Sequence, residues 1–236
     1  MKRFIAFTLA ETLIVMGVIG IVSALTLPNL NSSTGDKEKV AKVKKIYQNL
    51  NDAFGRAVAV YGPFDEWFIN DADATAKAKR IGERMTEFMK ISKNCAQLES
   101  KGCFASGKYK ASNGEEVQEW DKDTTSYKVI TADGTSIAFT YDNEDYSRIY
   151  VDIDGPNKGM KTNGKDFFVF AIYDNVGAMP FDYLSSFNVI LEMIHAKGDT
   201  AATWIINYDN MDYLKLDSRN RCPNGTTITE ANPRCK

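Results

Sequence analysis

The chain has 236 residues, with 29 Lys and Arg against 31 Asp and Glu, and a formal net charge of −2 at pH 7. Its hydrophobic share of 44% is enough for one ordinary core outside a membrane. A slightly acidic balance with no arginine-rich run argues against a dedicated nucleic-acid binder.

The N-terminus combines a basic stub with a long apolar stretch. Lys2 and Arg3 come first, and residues 12–35 carry no charge. Glu11 lies at the start of this stretch, where an ionised carboxylate costs several kcal/mol if the stretch is in a membrane. Such a residue usually has a partner and a function, so Glu11 is a candidate functional residue.

Two simpler interpretations compete for the same stretch. A secretory signal peptide has basic residues directly before its apolar core and ends at a small-residue cleavage site, for which Ser23-Ala24 is a weak candidate. A plain membrane anchor accounts for the length of the stretch. Neither interpretation accounts for Glu11.

The N-terminal sequence resembles the type IV pilin and type II secretion pseudopilin superfamily, and the resemblance directly covers about an eighth of the chain. It rests on Ala6-Phe7-Thr8-Leu9-Ala10-Glu11 and the apolar run from Leu13 to Val22. It implies that a prepilin peptidase cuts between Ala6 and Phe7 and methylates the new amine. The family usually has Gly where this chain has Ala6. Glu11 becomes the fifth mature residue, and Pro28 the twenty-second, where family members often have a helix-kinking proline.

The resemblance implies three parts: a leader peptide over residues 1–6, a transmembrane and assembly helix over 7–30, and an exported domain over 31–236. From Phe7 to Leu27 there are 21 residues, or about 31 Å of helix, which matches a bilayer core. In a filament, the Phe7 amine of one subunit can pair with Glu11 of its neighbour. Pairing would offset the cost of desolvating both charges and would fix the axial register.

Charge and cysteine use point to different orientations. The lysines that follow the stretch, at 37, 39, 42, 44 and 45, would favour a cytoplasmic C-terminus by the positive-inside rule. The resemblance implies the opposite, a C-terminal domain outside the cytoplasmic membrane. The four cysteines favour export, because disulfides form in oxidising compartments. They allow three connectivities, of which we favour the two local pairs Cys95–Cys103 and Cys222–Cys235.

Helical signals dominate the first half of the chain. Residues 31–35 predict a short polar break. Apolar residues then recur at three- and four-residue steps from Val40 to Tyr61, which predicts an amphipathic helix that Gly62-Pro63 ends. Residues 72–91 predict another helix. The sequence does not determine the fold of residues 92–126.

Strand signals follow residue 125. Residues 127–130 and 136–141 flank Asp133-Gly134 and predict a hairpin, and residues 148–153 and 167–173 predict two further strands. Strands that follow helices indicate an α+β fold with a mostly antiparallel sheet. This agrees with the architecture that the resemblance implies, a long N-terminal helix packed on such a sheet.

An acidic loop between the last two predicted strands is a candidate Ca²⁺ site. Aspartate and asparagine oxygens on a glycine-bent loop suit Ca²⁺, although the EF-hand pattern is not met. The loop is similar to the calcium loop of major pseudopilins, which suggests these ligands: Asp152, Asp154, Asn157 and Asp166. The alternative is a solvated turn whose side chains cap their own backbone.

The sequence predicts no enzyme. Its one histidine, His195, lies in an apolar run that predicts a helix, without a nucleophile motif, phosphate-binding loop or zinc motif.

The resemblance implies a filament subunit, of a type IV pilus or of a secretion pseudopilus. Its partners would be sister subunits, the prepilin peptidase, and an assembly platform protein with its cytoplasmic ATPase; nucleic acid would be a partner only of a DNA-uptake pilus. The alternative is a single-pass, membrane-anchored domain that binds a solute or the cell wall.

Overall fold

The computed structural model describes residues 9–68, 71 and 73–235, and within helix α1 it leaves the side chains of residues 11 and 22–34 undescribed. The chain divides into two compact units, Met1–Glu38 and Lys39–Lys236. Within the described part of the chain, no helix has the length and apolar character that a membrane crossing requires.

Helix α1 extends over Leu9–Tyr61, a total of 53 residues. Its end is where the sequence predicts it, because Gly62 follows with a φ of +80° and Pro63 cannot continue the helix. The predicted break at residues 31–35 is wrong, since the backbone there is helical. Extending a formed helix costs far less than ending it and nucleating a second one, so one short polar stretch is not enough to interrupt it.

The second unit has an α+β fold built on an antiparallel sheet. Six strands lie side by side in chain order, each antiparallel to the next. They are β1 Ile91–Ala96, β2 Tyr127–Thr131, β3 Ser136–Phe139, β4 Tyr146–Asp152, β5 Phe167–Tyr173 and β6 Gly177–Pro180. The other elements are α2 Ala74–Thr86, α3 Phe187–Ala196, α4 Ala201–Tyr208 and the 3-10 helices Phe64–Phe68 and Asp212–Lys215.

The central strands confirm the predictions from the sequence. β2 and β3 form the predicted hairpin, and Gly134 takes a φ of +87° in its turn. β5 has the predicted bounds, and β4 begins two residues earlier than predicted. The helix predicted over 72–91 ends instead at Thr86, because residues from Ile91 onward pair with β2 as an edge strand.

The main core lies between one face of the sheet and the C-terminal half of α1. The buried stripe of α1 consists of Val40, Val43, Ile46, Leu50, Ala53 and Ala57. These side chains belong to one apolar cluster with strand residues such as Val129, Ile149 and Phe168. The ring of Tyr47 also stacks on Phe170 at 6.5 Å between centroids. Burial of each large apolar side chain contributes about 1.5–3 kcal/mol, so this stripe holds the helix to the sheet.

A second, smaller core covers part of the opposite sheet face. Residues 97–126 contribute Phe104, Tyr109 and Trp120, which pack with Phe167 of β5. Tyr150 packs against the same cluster. The fold of this segment, which the sequence left open, is therefore an irregular cover over the outer face of the sheet.

We predict that Gly82→Ala destabilises the second unit. A Cβ at Gly82 of α2 would lie 2.1 Å from the Tyr127 ring and 2.6 Å from its Cβ, so the helix must shift away from β2. Overpacking of this kind costs about 1–3 kcal/mol. The change would be measured as the free energy of unfolding in urea.

Gly55→Ala is the matched control. Gly55 also lies in a helix, but a Cβ there meets nothing within 4 Å. Its replacement should leave the stability unchanged or raise it by up to about 1 kcal/mol, since Ala has the higher helix propensity. Equal stability of the two variants would contradict the packing of α2 on β2.

Candidate functional site

The predicted processing and assembly residues lie at or before the start of α1. Ala6 and Phe7 are outside the described residues. Glu11 lies in α1, but its side chain is not described. The structure therefore gives a helical backbone at Glu11 and leaves its predicted pairing with the Phe7 amine as a prediction.

The beginning of α1 exposes apolar side chains around its whole circumference. Four consecutive residues, Leu13 to Met16, have exposed fractions between 54% and 69%. Leu9, Val18, Ile19 and Ile21 are exposed as well. Because four consecutive positions cover a full helical turn, the described side chains of this segment leave no one face set aside for packing. Contiguous exposed apolar surface of this kind marks a surface that contacts protein or membrane.

The C-terminal half of α1 is tied to the domain by a row of lysines on its polar side. The ammonium groups of Lys44 and Lys45 lie 2.6 Å from Asp209 and 2.7 Å from Asp133. Lys42 lies 3.4 Å from Asp154, and Lys39 donates to the carbonyl of Lys165 at 3.0 Å. The four lysines contact three separate segments, namely the β2–β3 turn, the β4–β5 loop and the residue that follows α4.

The predicted calcium ligands lie at the end of β4, at Asp152, and in the β4–β5 loop, residues 153–166. Asp152 is 1% exposed and Asp166 is fully buried, whereas Asn157 is exposed. One oxygen of Asp152 accepts the backbone N–H groups of Asp154 and Gly155, both at 3.1 Å. Its other oxygen accepts the hydroxyl of Tyr109 at 2.7 Å. Burial raises the pKa of Asp152 to about 7, although the hydrogen bond from Tyr109 acts in the opposite direction and lowers this pKa.

Asp166 has a similar set of donors. Its Oδ1 accepts the N–H of Thr162 at 2.8 Å. Its Oδ2 accepts the N–H of Lys161 at 3.0 Å and that of Met160. The two buried carboxylates thus organise the loop backbone from inside.

The residues of this loop, as arranged, do not fit a Ca²⁺ ion. Ca²⁺ requires six to eight oxygen ligands, whereas donors point at both buried carboxylates and Asp154 faces a lysine. Among the described residues, no group of three or more His, Cys, Asp or Glu side chains is arranged to hold a metal ion. Calcium binding remains a prediction from the resemblance.

The cysteines form the two local disulfides that we favoured. Cys95 and Cys103 are joined with an S–S distance of 2.08 Å, and Cys222 and Cys235 with 2.02 Å. The first bond attaches β1 to the segment over the outer sheet face. The second closes a C-terminal loop in which residues 223–227 are exposed.

Sequence reasoning missed Lys128 as a buried residue. It alternates with Tyr127 and Val129 and so points to the outer sheet face, which would normally be solvated. It is only 1% exposed, because residues 97–126 cover that face, and its ammonium donates to the carbonyls of Trp120 and Asp123. Burial lowers its pKa. No local signal distinguishes this lysine from a surface one.

His195 lies near the end of α3, as predicted, and its Nε2 is 2.9 Å from Oδ1 of Asn220.

Comparisons with protein-family models, curated proteins and solved structures found no match for this chain. The candidate functional site is the exposed apolar start of α1. The row of lysines and the β4–β5 loop attach the C-terminal half of α1 to the domain.

We predict that Lys45→Met raises the pKa of Asp133. Burial alone would raise this pKa, but hydrogen bonds from Lys45 and Thr131 lower it to about 2, from an ordinary value of 3.8. A depressed carboxyl pKa stabilises the fold above the unfolded pKa, and this stability is lost as the pH falls through the folded pKa. Without Lys45, the folded pKa should move back toward 3.8, and less stability should be lost between pH 4 and pH 2.

NMR titration of the Asp133 carboxyl measures this change directly. Lys44→Met is the control, because Lys44 pairs with Asp209 instead and lowers the pKa of that carboxyl. It should raise the pKa of Asp209 and leave Asp133 unchanged. An unchanged Asp133 pKa in Lys45→Met would refute the ion pair.

Proposed function

We propose that this chain is a structural subunit of a type IV pilus-like or type II secretion pseudopilus filament. A prepilin peptidase removes residues 1–6 and methylates Phe7, and the subunit is held in the cytoplasmic membrane by residues 7–30 with its domain outside. It then polymerises through the N-terminal part of α1. The proposed partners are sister subunits, the peptidase, and an assembly platform protein with its cytoplasmic ATPase.

One observation supports the proposal most strongly. A single helix, α1, has an exposed apolar segment at its start and an amphipathic segment, Val40 to Ala57, whose apolar stripe is buried on an antiparallel sheet. A filament subunit needs both properties, because one part of the helix must contact neighbours or lipid while the other carries the domain. The N-terminal motif adds Glu11 at the spacing that the superfamily has, counted from the cut that the resemblance implies between Ala6 and Phe7.

The C-terminal disulfide favours the pilus within the superfamily. Cys222–Cys235 encloses an exposed polar loop, similar to the disulfide loop that type IV pilins place on the filament surface. The β4–β5 loop also favours the pilus. Calcium binding by this loop would favour a pseudopilin, but its residues as arranged do not fit a Ca²⁺ ion.

The first test is the mature N-terminus. Intact-mass analysis and N-terminal sequencing of protein purified from native membranes should find a chain that begins at N-methylated Phe7. Ala6→Leu should block cleavage, because the residue before the cut is small in this family. A chain that begins at Met1, or after Ala24, would rule out prepilin processing.

The second test concerns Glu11. Glu11→Leu should still insert in the membrane but should assemble no filament, because the Phe7 amine of the neighbouring subunit is left without a partner. Loss of one partner of a buried ion pair costs about 3–5 kcal/mol, or more than 100-fold in association. Filament yield and membrane-bound protein would be measured separately.

Thr12→Leu is the control for Glu11→Leu, because Thr12 is the adjacent residue and is also polar; its own side chain is exposed. It should assemble normally. If Glu11→Leu forms filaments as well as Thr12→Leu does, the chain is better explained as a membrane-anchored binding domain.

A further inference from the structure

The β4–β5 loop is held by hydrogen-bond donors from three directions. Five backbone N–H groups inside the loop and the hydroxyl of Tyr109 are directed at Asp152 and Asp166. Lys42, from α1, lies 3.4 Å from Asp154 of the loop. All three carboxylates therefore already have positively polarised partners that belong to the chain.

The packing of Gly159 shows how closely the loop closes around these acids. A Cβ at Gly159, which has a φ of +84°, would lie 2.4 Å from Oδ2 of Asp166 and 3.3 Å from Cβ of Asp154. The backbone at this position thus fills the space between two of the predicted ligands. A cation coordinated there would need oxygen lone pairs, whereas the groups directed at the carboxylates are N–H and O–H donors.

The loop is also fastened to its surroundings without a metal ion. Lys39 donates to the carbonyl of Lys165 at 3.0 Å, so two lysines of α1 contact the loop, one near each end. From the outer sheet face, the N–H of Lys110 donates to the carbonyl of Lys161, and the N–H of Asn163 donates to the carbonyl of Lys110. These bonds connect the loop to α1 and to the cover segment at the same time.

We propose that Lys42 and the internal donors replace the divalent cation in this loop, so that the folded domain is independent of calcium and its loop is fastened to α1 by the ammonium of Lys42. Where the calcium loop of major pseudopilins binds an ion, this loop has one lysine and a set of backbone N–H groups at its carboxylates. The inference concerns the folded domain and does not depend on whether the chain forms a filament.

Thermal unfolding of the full chain in detergent tests the proposal. The Tm should agree within about 1 °C between excess EDTA and millimolar Ca²⁺, because a ligand stabilises only a state that binds it. A Tm that is higher by roughly 5 °C or more in Ca²⁺ would overturn the proposal, since that is the rise expected for a site nearly saturated at this concentration.

The Lys42→Met variant tests the role of the ammonium. Without Lys42, Asp154 loses the ammonium that lies 3.4 Å from its carboxylate. The Tm should therefore fall in EDTA, and Ca²⁺ at the position that the ammonium leaves should recover part of the loss. Lys44→Met removes a lysine of the same helix whose partner, Asp209, lies outside the loop, and its Tm should be insensitive to Ca²⁺. If the two variants respond alike to Ca²⁺, Lys42 does not replace the cation. Failure of this test leaves the N-terminal processing result untouched, so the two proposals fail separately.

Discussion

The fold depends on the contact between the apolar stripe of α1 and the inner face of the sheet. Val43, Leu50, Ala53 and Ala57 are fully buried there, and the ring of Tyr47 stacks on Phe170. Without this helix, the inner face of a six-stranded sheet would lack its main cover. Without the sheet, the amphipathic part of α1 would have no partner. Each element is therefore stable only with the other, since most helix stability in proteins comes from tertiary packing.

The polar side of the same helix explains why lysines follow an apolar segment in a chain proposed to be exported. Lys39, Lys42, Lys44 and Lys45 each bind a carbonyl or a carboxylate of the domain. Single ion pairs at this degree of exposure contribute little stability, typically up to about 1 kcal/mol. Their joint effect is geometric, because they attach one helix to three segments. In this account, the lysines bind groups of the folded domain and do not set the orientation of the chain across the membrane.

Sequence patterns that are local or periodic predicted the structure well. The helical period from Val40 to Tyr61, the Asp133-Gly134 hairpin, the bounds of β5 and both disulfides are properties of short windows or of a simple period. β1, β6 and α4 were missed, the first because an edge strand is defined by its neighbour. No element was predicted over Ala201–Tyr208, which is a helix whose apolar side packs in the main core with residues of the sheet.

The loop and the outer sheet face show the limit of such prediction. The sequence identified Asp152, Asp154 and Asp166 as acids that lie near one another. It did not identify the donors that form hydrogen bonds or ion pairs with them. Tyr109 and Lys42 are far away in sequence, and five of the donors are backbone groups placed by the turn. Burial of Lys128 likewise depends on a cover segment without a periodic pattern. Long-range packing decides these features.

The most direct measurement is photo-crosslinking from the exposed apolar segment of α1. A photoreactive amino acid at Val18, which is 54% exposed, would be activated in cells that express the whole assembly machinery. The account predicts a cross-linked product with the mass of two copies of this chain, because neighbouring subunits cover this segment. Products with lipid or with unrelated proteins, and none with a second copy, would contradict it.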